Sequence, residues 1–386
     1  MLVYISVFVI ALLYYFIGKG NLSKSNNMLM LIFGFFALLI GLGDMIGGYD
    51  RYIYGEMFDS IADETLGSKD YLRHLVVVNG YEYGYFGWQI VCSYITANRY
   101  IYILITTLIM YCLYYRTMRD YISDYPLAIV LFLGLFYYFT MTYLRQTLAC
   151  GIAWQGIKYI WERKPIKFFL IVLIAFSFHN SAIFFAIMYL IPRKKFPRYS
   201  ILWVLFISLI LGFTPLPLQI MSSSGGDRTI NYQDSMNGFR IEYIFEAIFF
   251  ISIFFMNYRL IPNNKKDITF LNMGIVFCSL LLLFLRFGQG GRIGWFFLMG
   301  IIYTLTTLCT NKYAKKWMRP FFITVSFVLF MRITTSWSFN LLPYKTFLTQ
   351  GYPCGEKWLY ENFEYDQSYT YNKLYRPIFT FWGSKQ

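Results

Sequence analysis

An arginine and a histidine bracket one stretch of this chain, RQTLACGIAWQGIKYIWERKPIKFFLIVLIAFSFHNSA, which runs from Arg145 to Ala182. A basic turn, Trp161 to Lys167, separates the two. If that turn lies on one side of a membrane, Arg145 and His179 both lie toward the other. Neutral imidazole near pH 7 can take a proton from a hydroxyl, which suits a general base. The alternative is a histidine that caps a half-length helix. Arg145 can hold a phosphate in a forked geometry, with Gln146 beside it as a further substrate contact. The alternative there is an arginine snorkelling to a membrane interface.

Other groups have the same character. Arg286 and Arg292 flank Phe287-Gly288-Gln289-Gly290-Gly291. Glycines let backbone N–H groups converge on an anion, and two arginines add charge. A flexible hairpin with interface anchors is the other reading. Asp50-Arg51 and Glu82 each stand next to tyrosines, so a carboxylate there can activate or bind a sugar hydroxyl; a solvated loop acid is the plainer reading. Arg228 and Arg240 belong to the polar, Gly/Ser-rich run Ser222–Arg240, either a lid over an extended polar substrate or a linker.

Several functions are excluded or disfavoured. The chain has no P-loop, dinucleotide fingerprint or GxSxG motif. Asp59 and Asp63 are the nearest approach to a paired-acid metal motif and are four apart. With two histidines and no CxxC pair, no metal site and no cofactor is expected. The net charge of +14 sits in short loops between apolar runs. That pattern records membrane orientation and does not call for nucleic acid.

The elements that must position these residues are apolar. Hydrophobic residues make up 58% of the 386 and charged ones 14%, against about 25% charged in soluble domains. The expected fold is an all-α polytopic membrane protein, a single integral membrane domain over 1–386. The first helix, Leu2 to Gly18, lacks a basic leader and a cleavage site and reads as retained. About 12 membrane segments are expected, with both termini outside. Six proposed inner loops then hold 18 Lys/Arg against 4 acids, and the remaining 16 Lys/Arg and 16 acids fall outside or at span ends. Residues 47–99 form a long first extracytoplasmic segment with an interfacial or re-entrant helix over Tyr85 to Ala97. Residues 222–240 are a second outer loop, and 337–386 an outer tail. Phe168–Phe178 and Ser181–Ile191 form a short re-entrant-like hairpin, each arm reaching about 16 Å and leaving His179 near mid-membrane.

The run LRQTLACGIAWQGIKYIWERKPIKFFLIVLIAFSFHNSAIFF resembles the EpsG-type branch of the Wzy-like bacterial polysaccharide polymerases. Tyr49-Asp50-Arg51-Tyr52, Tyr81-Glu82-Tyr83-Gly84-Tyr85 and Gly291-Arg292 also look like that family, over about residues 45–310. Tyr83 stands where the family usually has proline. The resemblance implies a GT-C-like fold in the bacterial cytoplasmic membrane. It implies joining of oligosaccharide repeat units, carried on undecaprenyl diphosphate, into O-antigen, capsule or exopolysaccharide at the outer face. Arg145, Arg286 and Arg292 become candidates for the diphosphate, and His179 for the acceptor hydroxyl. Arg51, Gln146, Tyr85, Arg228 and Arg240 are further substrate contacts. Asp50 and Glu82 are the carboxylates. A chain-length regulator is a partner to look for. Two other readings stay open: a GT-C transferase adding one sugar from a lipid-phosphate donor, and a transporter or flippase of lipid-linked sugars.

Overall fold

The computed structural model describes residues 1–18, 20–71, 82–223, 239–349 and 362–380. These residues are helical nearly throughout. They fall in two compact units. One lies within Met1–Val78, Tyr83–Gly151 and Arg319–Gln386, the other within Asn79–Glu82 and Ile152–Met318.

The first unit opens with α1 (Leu2–Ile17), α2 (Asn26–Gly41), α3 (Tyr49–Leu66), α4 (Tyr83–Ser93), α5 (Arg99–Tyr121), α6 (Tyr125–Leu135) and most of α7 (Leu144–Trp154). Side chains of Ser25, Asn98 and Asp124 accept the first free N–H groups of α2, α5 and α6. α2 packs along α5, α1 on α6, and α3 on both α4 and α5. Gly47 and Gly48 turn the chain into α3 at φ +94° and +78°, where a Cβ is strained. A side chain at Gly48 would also strike Asn340.

The second unit continues with α8 (Ile157–Glu162), α9 (Pro165–Phe178), a 3₁₀ segment (Asn180–Ala186) that runs into Ile187–Leu190, α10 (Arg198–Phe213) and α11 (Leu216–Ser223). Then come α12 (Ile241–Met256), α13 (Lys265–Leu283), α14 (Gly290–Gly294) and α15 (Leu298–Thr310). α13 is the hub: α8, α10, α12, α14 and α15 all pack against it. Gly300 lets α15 lie against α13, since a Cβ there would stand 2.5 Å from Met273 Cβ. The chain returns to the first unit with α16 (Met318–Ser336).

Several expectations need correcting. Among the described residues, four helical segments are long and apolar enough to cross a membrane, in place of about 12: Arg99–Tyr121, Lys265–Leu283, Gly290–Thr310 and Met318–Ser336. Six further apolar helices have 10–17 residues. The difference lies in the backbone. The apolar run from Pro126 to Tyr143 leaves its helix at Phe136, and the run from Arg145 to Ile160 breaks at Gln155-Gly156. Apolar composition does not report such breaks in hydrogen bonding. The first outer segment also fails as a long loop, because α3 and α4 occupy much of it; residues 72–81 lie outside the described residues. The re-entrant hairpin has no support either. Its first arm is 14 residues, about 21 Å long, and its second gains length from a 3₁₀ stretch at about 2 Å per residue. Each arm is thus longer than the expected reach of about 16 Å. The GT-C-like expectation falls with these features. What stands is an all-α, multi-pass membrane protein.

A buried charge cluster ties residues 362–380 to the first unit. Arg99 donates to Asp59 Oδ2 through Nε at 2.8 Å and to both Glu364 oxygens at 2.9 and 3.1 Å. Tyr369 adds its hydroxyl to Asp59, and Lys373 pairs with buried Asp44. Burial pushes the Asp59 and Glu364 carboxyls up, and Arg99 beside them pulls both back. Losing Arg99 strands buried Glu364 and leaves Asp59 only a long ionic contact with Arg376, at 3.9 Å. Arg99→Met should therefore cost about 3–5 kcal/mol in a detergent melt. Adding Asp59→Asn and Glu364→Gln to it should restore most of the loss, because no buried charge is then left alone.

Candidate functional site

In the second unit the candidate site is built at one end of three packed helices. α10 and α13 end there and α12 begins there: Arg240 N–H bonds to Leu285 O at 2.9 Å, and Arg286 Nη1 reaches Phe213 O at 3.4 Å. Three arginine side chains lie at this end. The Arg240 side chain lies over Gly288, Arg286 stacks at 5.2 Å over Phe239, and Arg292 lies 5.9 Å from Trp295. Arg292 also donates to Gln289 Oε1 at 2.7 Å, which fixes its direction. Arg240 is exposed, and Arg286 and Arg292 are half-buried.

The Gly-rich loop between Arg286 and Arg292 is rigid by construction. Tyr243 on the first turn of α12 donates its hydroxyl to Gly288 O at 3.1 Å and accepts the Gly291 N–H at 3.0 Å. Gly290 packs so closely that a Cβ would meet Phe284 O at 2.7 Å. The backbone nest expected here is not formed. The N–H groups of Gly290, Gly291 and Arg292 are already bonded to Phe287 O, the Tyr243 hydroxyl and Gln289 O. None of the loop glycines has a positive φ. Attraction for an anion at this end therefore comes from side-chain guanidiniums.

His179 and Glu82 meet at the start of the 3₁₀ segment. The His179 ring caps it: Nδ1 accepts the Ser181 N–H at 3.3 Å and lies 2.7 Å from Ser181 Oγ. Glu82 Oε1 accepts the next free amide, Asn180 N–H, at 3.3 Å. Two orphan donors of one helix start are thus satisfied by two side chains, one of them an anion at the positive end. The capping alternative for His179 is the geometry present, through the ring. It ties up Nδ1 and leaves Nε2. In the tautomer with its proton on Nδ1, the ring gives up the Ser181 N–H, donates to Ser181 Oγ instead, and Nε2 can accept a proton. The 3₁₀ segment packs on α14, which carries Arg292, with Phe184 against Phe284 at 5.8 Å and Phe185 against Phe297 at 5.6 Å. The histidine–carboxylate turn and the arginine end are therefore neighbours within one unit.

Arg145 belongs to the first unit. Its guanidinium lies 5.4 Å from the Tyr54 ring and 5.9 Å from the Tyr85 ring, a cation–π pair of contacts. Tyr85 is held in turn by Tyr102, whose hydroxyl bonds to it at 2.5 Å. Gln146, next to Arg145, is buried. Asp50 is half-exposed on the first turn of α3. Arg51 is fully buried and donates to Met141 O at 2.7 Å and Ile40 O at 3.3 Å. That makes it a brace between backbone segments. Arg228 lies outside the described residues. Sequence reasoning missed Tyr243, Gln289 and Ser181, because each acts on a neighbour brought close by folding and carries no motif of its own.

Among the described residues no three His, Cys, Asp or Glu side chains come together to hold a metal ion. The cap itself is testable. His179→Ala should lower stability in a detergent melt by about 1 kcal/mol, whereas His179→Asn should keep the cap and melt close to wild type. Equal melts for all three proteins would show that the ring is not holding the segment.

No curated protein and no solved structure matches the chain. A family comparison does match, over residues 26–346, and that span takes in Asp50, Glu82, Arg145, His179, the arginine end of the second unit and every numbered helix except α1. With most of its length covered, the chain belongs to the EpsG family.

Proposed function

We propose that this protein joins oligosaccharide repeat units carried on undecaprenyl diphosphate into a polysaccharide, at the outer face of a bacterial cytoplasmic membrane. The observation that carries the reading is the placement of Arg240, Arg286 and Arg292 at one helix end, in the same unit as the turn capped by His179 and Glu82. Family membership supports a glycosyltransferase-like role. The apolar helices that lead to the arginine end give a lipid-borne donor a way in.

In the proposed reaction an acceptor hydroxyl oxygen attacks the anomeric carbon of the donor sugar. The new C–O bond forms as the bond from that carbon to the diphosphate oxygen breaks. The electron pair leaves with the diphosphate, where the three guanidiniums meet the growing negative charge. The hydroxyl proton passes to His179 Nε2 while Nδ1–H is held by Ser181 Oγ. Glu82, at the same turn, stabilises the imidazolium that results. In the first unit, Arg145 and Tyr85 remain proposed substrate contacts. Asp50, Gln146 and Arg228 remain proposed substrate contacts, and a chain-length regulator a proposed partner. Transfer of the charge-stabilising role to side chains means that the reading uses no metal.

The test is product size. Full-length protein in nanodiscs, given lipid-diphosphate-linked repeat units of verified structure, should yield a ladder with repeat-unit spacing. A single added unit would instead mark a one-sugar transferase, and an unchanged substrate would favour transport. In the same assay Arg292→Lys should fold normally and lose activity by about a hundredfold, because a point charge replaces a forked donor. His179→Asn should keep the cap and lose activity to a similar degree. Full ladders from both variants would remove these residues from the mechanism.

A further inference from the structure

The other end of the same three helices carries a second basic site. A cavity of about 700 Å³ is lined by Arg193, Lys194, Lys195, Arg259 and Lys265, with Tyr258 at its wall and no acid among its lining residues. It lies where α10 and α13 begin and α12 ends; Arg198 Nη2 bonds there to Phe255 O at 2.8 Å. α10 and α12 have 16 residues each, so this end stands about 24 Å from the arginine end. The two basic sites are thus separated by the length of an apolar bundle.

We infer that this cavity binds the phosphate of an anionic lipid headgroup. Three features converge. Five cations surround a concave space, and two helices of 16 and 19 residues direct their positive ends to it. Two of the cations are anchored, Arg193 on Trp161 O at 2.7 Å and Lys195 on Ile261 O at 2.8 Å, which gives the site shape. Crowding by burial and by Arg198 lowers the Lys195 pKa, so an anion in the cavity relieves like-charge repulsion. Asp267, on the first turn of α13, is buried outside the cavity lining, where it accepts from Tyr303 at 2.8 Å and from Asn264. A lipid is favoured over a soluble phosphate by the neighbouring surface. Tyr199, Leu202, Trp203 and Phe206 on α10 are all exposed, and they offer an apolar face along which acyl chains can lie from a headgroup in the cavity. Basic pockets at the cytoplasmic ends of membrane helices are suited to anionic headgroups, and the positive-inside rule puts this end there.

The experiment compares purified full-length protein with two variants by native mass spectrometry in detergent, titrating phosphatidylglycerol against phosphatidylcholine. Lys194→Gln/Arg259→Gln/Lys265→Gln removes three cavity cations and keeps the anchored pair. Lys315→Gln/Lys316→Gln removes exposed basic charge from a loop that does not line the cavity. The expected result is preferential binding of phosphatidylglycerol, about a hundredfold weaker in the cavity variant and little changed in the loop variant. Binding that falls equally in both variants would reduce the effect to general surface charge and overturn the site. Displacement of the lipid by millimolar inorganic phosphate would assign the cavity to a free anion and overturn the lipid. Neither result bears on product size in the polymerisation assay, so the two readings fail separately.

Discussion

Positive charge held at the ends of apolar helices is the constraint on which the second unit depends. A guanidinium stays charged at any accessible pH, so it cannot be buried in hydrocarbon by losing its proton. It must sit where water, backbone carbonyls or an anion can meet it. Arg240, Arg286 and Arg292 satisfy this at one end of α10, α12 and α13, through backbone oxygens, aromatic faces and Gln289. The loop that carries two of them is fixed by Tyr243 and by close packing at Gly290. Rigid placement matters more than charge count, because donors that already point at a developing anion need no reorganisation when it forms.

The first unit meets a related problem by another route. It buries charge and pairs it. Arg99 is enclosed by Asp59, Glu364 and the Tyr369 ring, and Arg51 by backbone carbonyls. These residues hold segments far apart in sequence, so residues 362–380 become part of the unit. Arg145, in the same unit, is half-buried beside the Tyr54 and Tyr85 rings.

The candidate residues were legible in the sequence, and the architecture less so. His179, Glu82, Arg286 and Arg292 are readable because ionisable groups are rare beside apolar runs, and that rarity needs no fold to be seen. The pairing of Glu82 with the His179 turn was not readable, since 97 residues separate them and only tertiary structure supplies the contact. Arg51 and Arg145 look alike in sequence, yet one is a buried brace and the other is not; neighbours decide that. The span count failed for a different reason. Hydropathy adds up residues over a window, while a membrane helix needs an unbroken ladder of hydrogen bonds, and the breaks at Phe136 and at Gln155-Gly156 carry no strong compositional mark.

The most direct test of the central claim is binding of the released carrier. Undecaprenyl diphosphate should bind the wild-type protein in nanodiscs, and undecaprenol should bind much more weakly. Replacing Arg240, Arg286 or Arg292 with Gln should weaken the diphosphate by about tenfold each. If the triple variant holds undecaprenyl diphosphate as tightly as the wild type, the arginine end is not the diphosphate site and the account fails.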